Sequence, residues 1–484
     1  MKNGLIATLT IWIFMAATPF AADATDNGVT LTNYSVLNNP LDGWSTNSGT
    51  LNNEFGGTLN YYSSGLTNSG TLNNNYGGTL NNYSNLTNSG TLNNNYDLTN
   101  YFTNTGFGLE YPFALTNSGT LNNNAGGTLT NYSMLTNSGT LNINYGGTLN
   151  NKDNGYFANN SGGTLNNYGY LTNNNSYNAG LFNSGTLNNY SELGNWGSLT
   201  NYSGGALNNL GTLSNSGALS NSGTLNNYSG LTNYYGGTMD NYSTLNNYSA
   251  LANNYGGTLT NWNNYGDTLT NYSMLTNSGT LNNNGSLTNS STGIITGTGN
   301  YTQTAGNTKN NGSMIQQNIQ ILGGQLSGVG TITGNVTIGS GATVKPGDPS
   351  GLLTINGDFT SSGNLLFEIF GKDNGQNNQL KINGGKAVFN GGGMEFDFIN
   401  GYQAQAGDRW DLLYATSIDG IDQLNNTLNG LDSGLAWKLD YVNGIESLMI
   451  INPSVVPIPS AALLLGSGLV GLAGLRRKKK PAIA

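Results

Sequence analysis

The chain of 484 residues contains no cysteine and no histidine, and only 8% of it is charged. The missing cysteines exclude a disulfide scaffold and a thiolate metal site, while leaving export open. Without histidine as well, a Ser or Cys catalytic triad and the usual zinc sites are excluded. Positive charge is scarcer still, since Lys152 is the single basic residue between positions 26 and 300. A nucleic-acid binder displaces counterions with clustered Lys and Arg, so no nucleic acid is expected as a partner. The formal net charge of -9 is spread thinly. The chain therefore reads neither as an ordinary globular enzyme nor as a highly charged disordered one.

What is there is repetition. A leucine recurs from residue 31 to residue 287 at steps of six, eight or occasionally ten, as at Leu115, Leu121, Leu129, Leu135, Leu141 and Leu149. A later series runs from Leu207 through Leu213, Leu219, Leu225, Leu231, Met239, Leu245 and Leu251 to Leu259. On a helix a six-residue step turns about 600° and scatters the leucines around the axis. In extended chain any even step returns the side chain to one face. The repeat is a strand repeat, and self-similarity at a short fixed period indicates stacked units, each unable to bury its apolar residue alone.

Each rung begins Leu-(Thr/Asn)-Asn and continues with Ser, Tyr, Asn or Gly. With Leu inward, the next residue faces out and the Asn two positions on faces inward or caps the corner. Such an Asn stacks on its counterpart one coil away, where amides bond along the axis and to turn backbone. Eight-residue rungs such as LNNNYGGT carry a Gly pair, suited to a wider corner through positive φ. Three sides of about 6, 6 and 8 residues predict coils of roughly 18 to 20 residues, some seventeen through residue 360, in a rod of roughly 80 Å at about 4.8 Å per coil. One buried leucine returns about 1.5 to 3 kcal/mol, while ordering six residues costs on the order of 9 kcal/mol. The difference has to come from inter-strand hydrogen bonds, Asn columns and packed Tyr, all of which exist only when coils stack.

From about residue 365 the composition changes, with Phe367, Ile369, Phe370, Phe389, Phe396, Trp410 and Trp437 far denser than the apolar residues of the rungs. This predicts a β-rich cap closing the end of the rod, which a solenoid needs to avoid pairing with a neighbour.

Tyrosine is the feature suited to binding. It recurs three positions after the rung leucine, as at Tyr34, Tyr83, Tyr202, Tyr228, Tyr248 and Tyr272. That places it opposite the leucine, as an aligned stripe of rings beside amides and hydroxyls. Sugar recognition uses flat apolar contact with polar edges; the plainer reading is that the rings stack on one another to stabilise a corner. Glycoside hydrolysis wants two carboxylates about 5 to 9.5 Å apart. The rod's acids Asp97, Glu110, Glu192, Asp240 and Asp267 are isolated, and none lies one coil from another. Asp348, Asp397, Asp408 and Asp411 cluster more, but Asp408-Arg409-Trp410-Asp411 reads more simply as a turn entering a strand. Calcium would suit Asp and Asn oxygens, yet Asp373-Asn374-Gly375 is only a short loop. No catalytic residue, metal or cofactor is expected. Triplets such as Asn33-Tyr34-Ser35 match the glycosylation pattern and are by-products of composition.

The two ends carry targeting signals. Residues 1–24 read as a secretory signal: Lys2, an apolar run from Leu5 to Met15, and Ala22-Asp23-Ala24 as a small-x-small cleavage site. At the other end stands VPIPSAALLLGSGLVGLAGLRRKKKPAIA, in which Ser460 to Leu475 supplies 16 largely apolar residues, followed by Arg476, Arg477, Lys478, Lys479 and Lys480. That predicts a short transmembrane helix whose basic end stays cytoplasmic. With Val456, Pro457, Pro459 and Ala461 ahead of the helix, this tail resembles the C-terminal sorting signals of the PEP-CTERM/exosortase system, in its VPLPA-type variant. Ile458 and Ser460 depart from the pattern. The resemblance implies recognition by an exosortase-like enzyme in the inner membrane of a Gram-negative bacterium, removal of the tail, and release to the cell surface or an exopolysaccharide matrix.

A second resemblance covers residues 320 to 452. The stretch GGQLSGVGTITGNVTIGSGATVKPGDPSGLLTINGDFTSSGNLLFEI, with its turn at Pro346 to Gly351, and the later AGDRWDLLYA resemble the junction region of autotransporter-type β-helices. The Leu-x-Asn rungs are similar to those of filamentous-haemagglutinin-like adhesins. Both groups imply a right-handed winding. The expected architecture is all-β: signal peptide 1–24, Leu-x-Asn parallel β-solenoid 25–300, β-helix continuation 301–364, β-rich cap 365–452, and sorting signal with transmembrane helix 453–484. The expected function is that of an exported non-enzymatic matrix or adhesion protein. Its expected partners are the exosortase-like enzyme, an exopolysaccharide or cell surface, and possible further copies of itself. The rival readings are an amyloid-like self-assembling fibre, since low-charge Asn-rich tracts favour cross-β stacking, and a polysaccharide-degrading β-helix enzyme.

Overall fold

A computed structural model describes residues 30–38, 45–62, 65–101, 113–175, 179–263, 266–373 and 375–452. The expected signal peptide and the sorting tail with its helix lie outside these residues. No helix among the described residues is long and apolar enough to cross a membrane.

The described chain is an all-β parallel solenoid of about sixteen turns. Short strands of the form Thr-Leu-x-Asn alternate outward, inward, outward, inward, so Leu and Asn are both buried and the residues flanking them face solvent. Each strand pairs in parallel with the third strand on, as in Thr71–Asn74 with Thr91–Asn94, so a coil has three sides. Coil length varies only at the corners: Leu207 stacks under Leu225, Leu225 under Leu245 and Leu165 under Leu187. Whatever a corner adds, the next Leu returns to its column, because a slip of one residue would turn every Leu and Asn to solvent. Met239 takes a leucine place, between Leu219 and Leu259.

The buried asparagines form three ladders along the axis. In one of them Asn47, Asn68, Asn88, Asn117, Asn137 and Asn159 each donate Nδ2 to Oδ1 of the next, at 2.6 to 2.8 Å. The amide's second hydrogen crosses the corner to a backbone carbonyl one coil on, as Asn68 does to Thr91 at 2.9 Å. That carbonyl fixes which way the amide points, so every inner ladder runs donor to acceptor from the N-terminal toward the C-terminal end. Both amide hydrogens are thereby satisfied in the buried interior, where an unpaired one would cost about 1–3 kcal/mol. Ile143 interrupts one ladder, between Asn123 and Asn167; Asn123 keeps its cross-corner bond, to Thr148 at 2.7 Å.

Glycine sets the wide corners for two separate reasons. Gly126 has a φ of +80°, a region L-residues avoid. In its neighbour Gly127 a Cβ would sit 2.3 Å from the carbonyl oxygen of Asn94 in the coil below. The first glycine serves the turn and the second makes room for stacking.

All three ladders end between residues 303 and 331. Gln303 and Gln316 take the last amide hydrogen bonds from Asn283 and Asn277, and Asn310 donates to the Thr331 carbonyl. The longer glutamine turns its own Nε2 onto nearby backbone, as Gln303 does to Gly323 at 2.8 Å, so the ladder is terminated rather than extended. In the same region Tyr301 replaces a leucine, and its buried hydroxyl bonds Thr308, which occupies a leucine place on another side. Beyond this point strands lengthen: Ser313–Gly328 and Thr331–Pro346 each bend around the coil, and the interior is Ile, Val, Leu and Phe.

Parallel stacking continues past residue 365, where the apolar density rises, through Gly393–Phe398 on Asn425–Asn429. Apart from isolated bridges between Gly328 and Gly347 and between Ile369 and Asn377, antiparallel pairing begins with Ile445–Ile451, which joins Arg409–Asp419 to Ala436–Val442. This hairpin occupies the edge of the last long strand, the position from which an exposed sheet would recruit another chain.

Replacing Asn221 by Ala removes the acceptor of Asn201 and the donor to Asn241 and Thr244. A loss of about 2–4 kcal/mol in the local opening free energy is expected by hydrogen exchange. Replacing the outward Asn226 should cost under about 1 kcal/mol.

Candidate carbohydrate-contact surface

The residue after each ladder asparagine sits where the chain leaves the strand, and here aromatic side chains pile up at the rise of one coil. The candidate contact residues Tyr83, Tyr202, Tyr228, Tyr248 and Tyr272 do not form one stripe. Tyr228, Tyr248 and Tyr272 share a corner, with ring centroids 4.9 Å apart and planes within 4°. Tyr83 belongs to a column on a second corner, Tyr62, Tyr83, Tyr101 and Tyr132. Tyr202 lies on the third, 6.0 Å from Phe182. The expectation of a single stripe fails because all three sides carry the same Leu-x-Asn-Tyr motif; only rungs three apart stack.

This stacking decides what the rings can do. Tyr248 is 42% exposed, but Tyr228 and Tyr272 cover its two faces, so what reaches solvent is mostly the rim and hydroxyl. Packing in the column also raises the Tyr248 phenol pKa, through burial and then through its neighbours Tyr272 and Tyr228. Each stacked pair contributes about 0.5–1.5 kcal/mol beyond area burial. Face-on contact with a sugar is left to the ends and breaks of columns. Side chains elsewhere on the surface add to the columns: Trp262 stacks on Tyr242 and donates to Asp240 at 3.0 Å.

Outward asparagines form a further ladder that sequence reading did not anticipate. On the first side Asn73 donates to Asn52, Asn93 to Asn73, Asn122 to Asn93, and so on to Asn246, which donates to Asn226 at 3.0 Å. Its direction is opposite to that of the inner ladders. Outward threonines at Thr71, Thr91, Thr120 and Thr140 run beside it in register. The signal for this was present in the x of Thr-Leu-x-Asn, which is Asn on this side for ten successive coils.

The four clustered acids weighed for catalysis, Asp348, Asp397, Asp408 and Asp411, are engaged in structural contacts. Asp348 pairs with Lys309 and Asp408 with Lys372, each at 2.6 Å. Burial works to raise both carboxyls, but the lysine hydrogen bonds and charges hold them below the ordinary value. Asp411 accepts from Arg409 and from Ser447, and Asp397 from Asn429. No group of three or more acids that could hold a metal ion occurs among the described residues. The sorting residues Val456, Pro457, Pro459, Ala461, Arg476 and Arg477, together with Glu110, lie outside the described residues. No protein-family model matches the chain, and no curated protein is significantly similar to it.

One acid that sequence reading passed over is Glu446, on the closing hairpin and only 4% exposed. Burial and then the charge of Asp440 push its pKa up to about 7. A carboxyl raised in the folded state contributes stability that is fully present below its unfolded value near 4.5 and is lost as pH rises through about 7. Glu446→Gln should therefore stabilise the hairpin by on the order of 2 kcal/mol at pH 8 and change little at pH 4, measured by hydrogen exchange at the two pH values.

Proposed function

We propose that this chain is an exported, non-enzymatic rod of the cell surface or exopolysaccharide matrix, delivered by an exosortase-like route and wound right-handed. The observation that supports the reading is repetition in register on the outside of the rod: Thr and Asn columns run coil after coil along one side, and shorter aromatic columns stand at all three corners. A weak contact made at one coil is offered again at the next, so affinity for a long polysaccharide or another cell accumulates through multivalency. A catalytic reading has less to stand on, since the clustered acids Asp348, Asp408 and Asp397 are held in ion pairs and hydrogen bonds.

In this proposal residues 1–24 direct export, and the segment from Val456 to Ala484 holds the protein in the inner membrane until the tail is removed. Residues 456–461 are the recognition motif and the basic end keeps the tail cytoplasmic.

Deleting Val456 to Ala484 should leave the protein soluble in the periplasm or medium and absent from the matrix, by fractionation and immunoblot. Unchanged surface retention would sink the sorting claim. The exported rod should also co-sediment with the producing organism's own exopolysaccharide.

A further inference from the structure

The tyrosine column on the second side is not uniform. Tyr83 and Tyr101 stack at 4.4 Å and 7°, but Tyr101 and Tyr132 are 6.2 Å apart and inclined by 16°. There the column ends: Asn131 stacks under Asn151, so the residue over Tyr132 is Lys152 instead of a ring. The chain then turns through Asp153, whose φ of +51° lies in the left-handed region, and Asn154. The result is an open groove of about 410 Å³ lined by Thr99, Tyr101, Thr130, Tyr132, Asp153 and Asn154. Its volume lies in the range of small-molecule clefts, about 300–1,000 Å³.

The groove combines what the rest of the surface keeps apart. Tyr132 has no aromatic partner on the side of the next coil, where Lys152 lies over it, and together with Tyr101 it walls the groove. Asp153 and Asn154 are exposed and make no side-chain hydrogen bond or ion pair among the described residues. A non-glycine residue held at positive φ is strained, and such strain gathers at binding sites. A carboxylate accepts from two neighbouring hydroxyls, an amide both donates and accepts, and the two threonine hydroxyls adapt to either role. Aromatic walls with this polar border complement a pyranose, which has apolar C–H faces and a rim of hydroxyls.

We infer that the groove at the end of this column, Tyr132 with Asp153, Asn154, Thr99 and Thr130, binds one neutral hexose-type residue of a polysaccharide chain. This rests on the matrix reading above and adds the site and sugar class to it. Neutral sugars fit because Asp153 lines the groove and Lys152, over Tyr132, does not, so a uronic acid would bring its carboxylate against that of Asp153.

The test is saturation-transfer NMR on the full exported rod with methyl β-glucoside, methyl β-galactoside, N-acetylglucosamine and glucuronic acid as probes. Transfer to at least one neutral sugar and none to glucuronic acid is expected. It should fall at least fivefold in both Tyr132→Ala and Asp153→Asn and persist in Tyr248→Ala. Asparagine tolerates the same left-handed backbone, so Asp153→Asn removes charge without disturbing the turn and decides the matter should Tyr132→Ala fold poorly by circular dichroism. Transfer that survives Asp153→Asn, or transfer to none of the neutral sugars, overturns the site. If no sugar responds while the rod still co-sediments with exopolysaccharide, the groove fails and the matrix reading stands. If the sugar signal depends on Asp153 but the rod does not co-sediment, the matrix reading fails and the groove stands.

Discussion

The hydrogen bond between one buried asparagine and the asparagine a coil away is the interaction on which this molecule rests. A leucine column alone does not offset the entropy of ordering its rung. The amide ladder adds a bond along the axis and ties each corner carbonyl down with the second hydrogen, as Asn201 does to Asn221 and Thr224. It also enforces cooperativity. An amide at the end of a broken ladder is left buried and unpaired, so coils are stable together and costly to open singly.

That constraint explains the composition. Leu and Asn are fixed inside, while the residues facing out have only to be small or polar enough to stack. The glycines are fixed too, where Gly127 lies against the Asn94 carbonyl and Gly119 against that of Gly90. Charge has no place in such an array, because like charges would repeat at every coil about 4.8 Å apart. Acids and bases gather instead in the C-terminal third, where Lys309, Lys345 and Lys372 find Asp348, Glu368 and Asp408.

The strand period, the inward Leu, the stacked Asn and the three-sided coil were legible in the sequence because each depends on local alternation repeated many times. The tyrosines were legible as a spacing but not as a surface: whether Tyr83 and Tyr248 share a corner depends on counting sides, which a six- or eight-residue step does not reveal. Gln303 and Gln316 passed unnoticed because a single Gln in place of Asn is a small change in composition, while one extra methylene is what redirects the amide to backbone. The groove beside Tyr132 is a consequence of one interruption, Lys152 where the column would place an aromatic ring. Glu446 carried no pattern at all, since its surroundings come from two antiparallel partners, Leu413 and Tyr441.

The glutamine terminators have a bearing on size. Because nearly every coil below them presents the same amides, Ile143 being an exception, a coil could be duplicated or lost and the surfaces meeting across the join would still match. The stop lies where Gln303, Asn310 and Gln316 end the three ladders and does not count what precedes it. The reach of this rod from its base is thus a quantity that recombination between near-identical stretches of coding sequence can reset in whole increments, with closure at the far end left untouched.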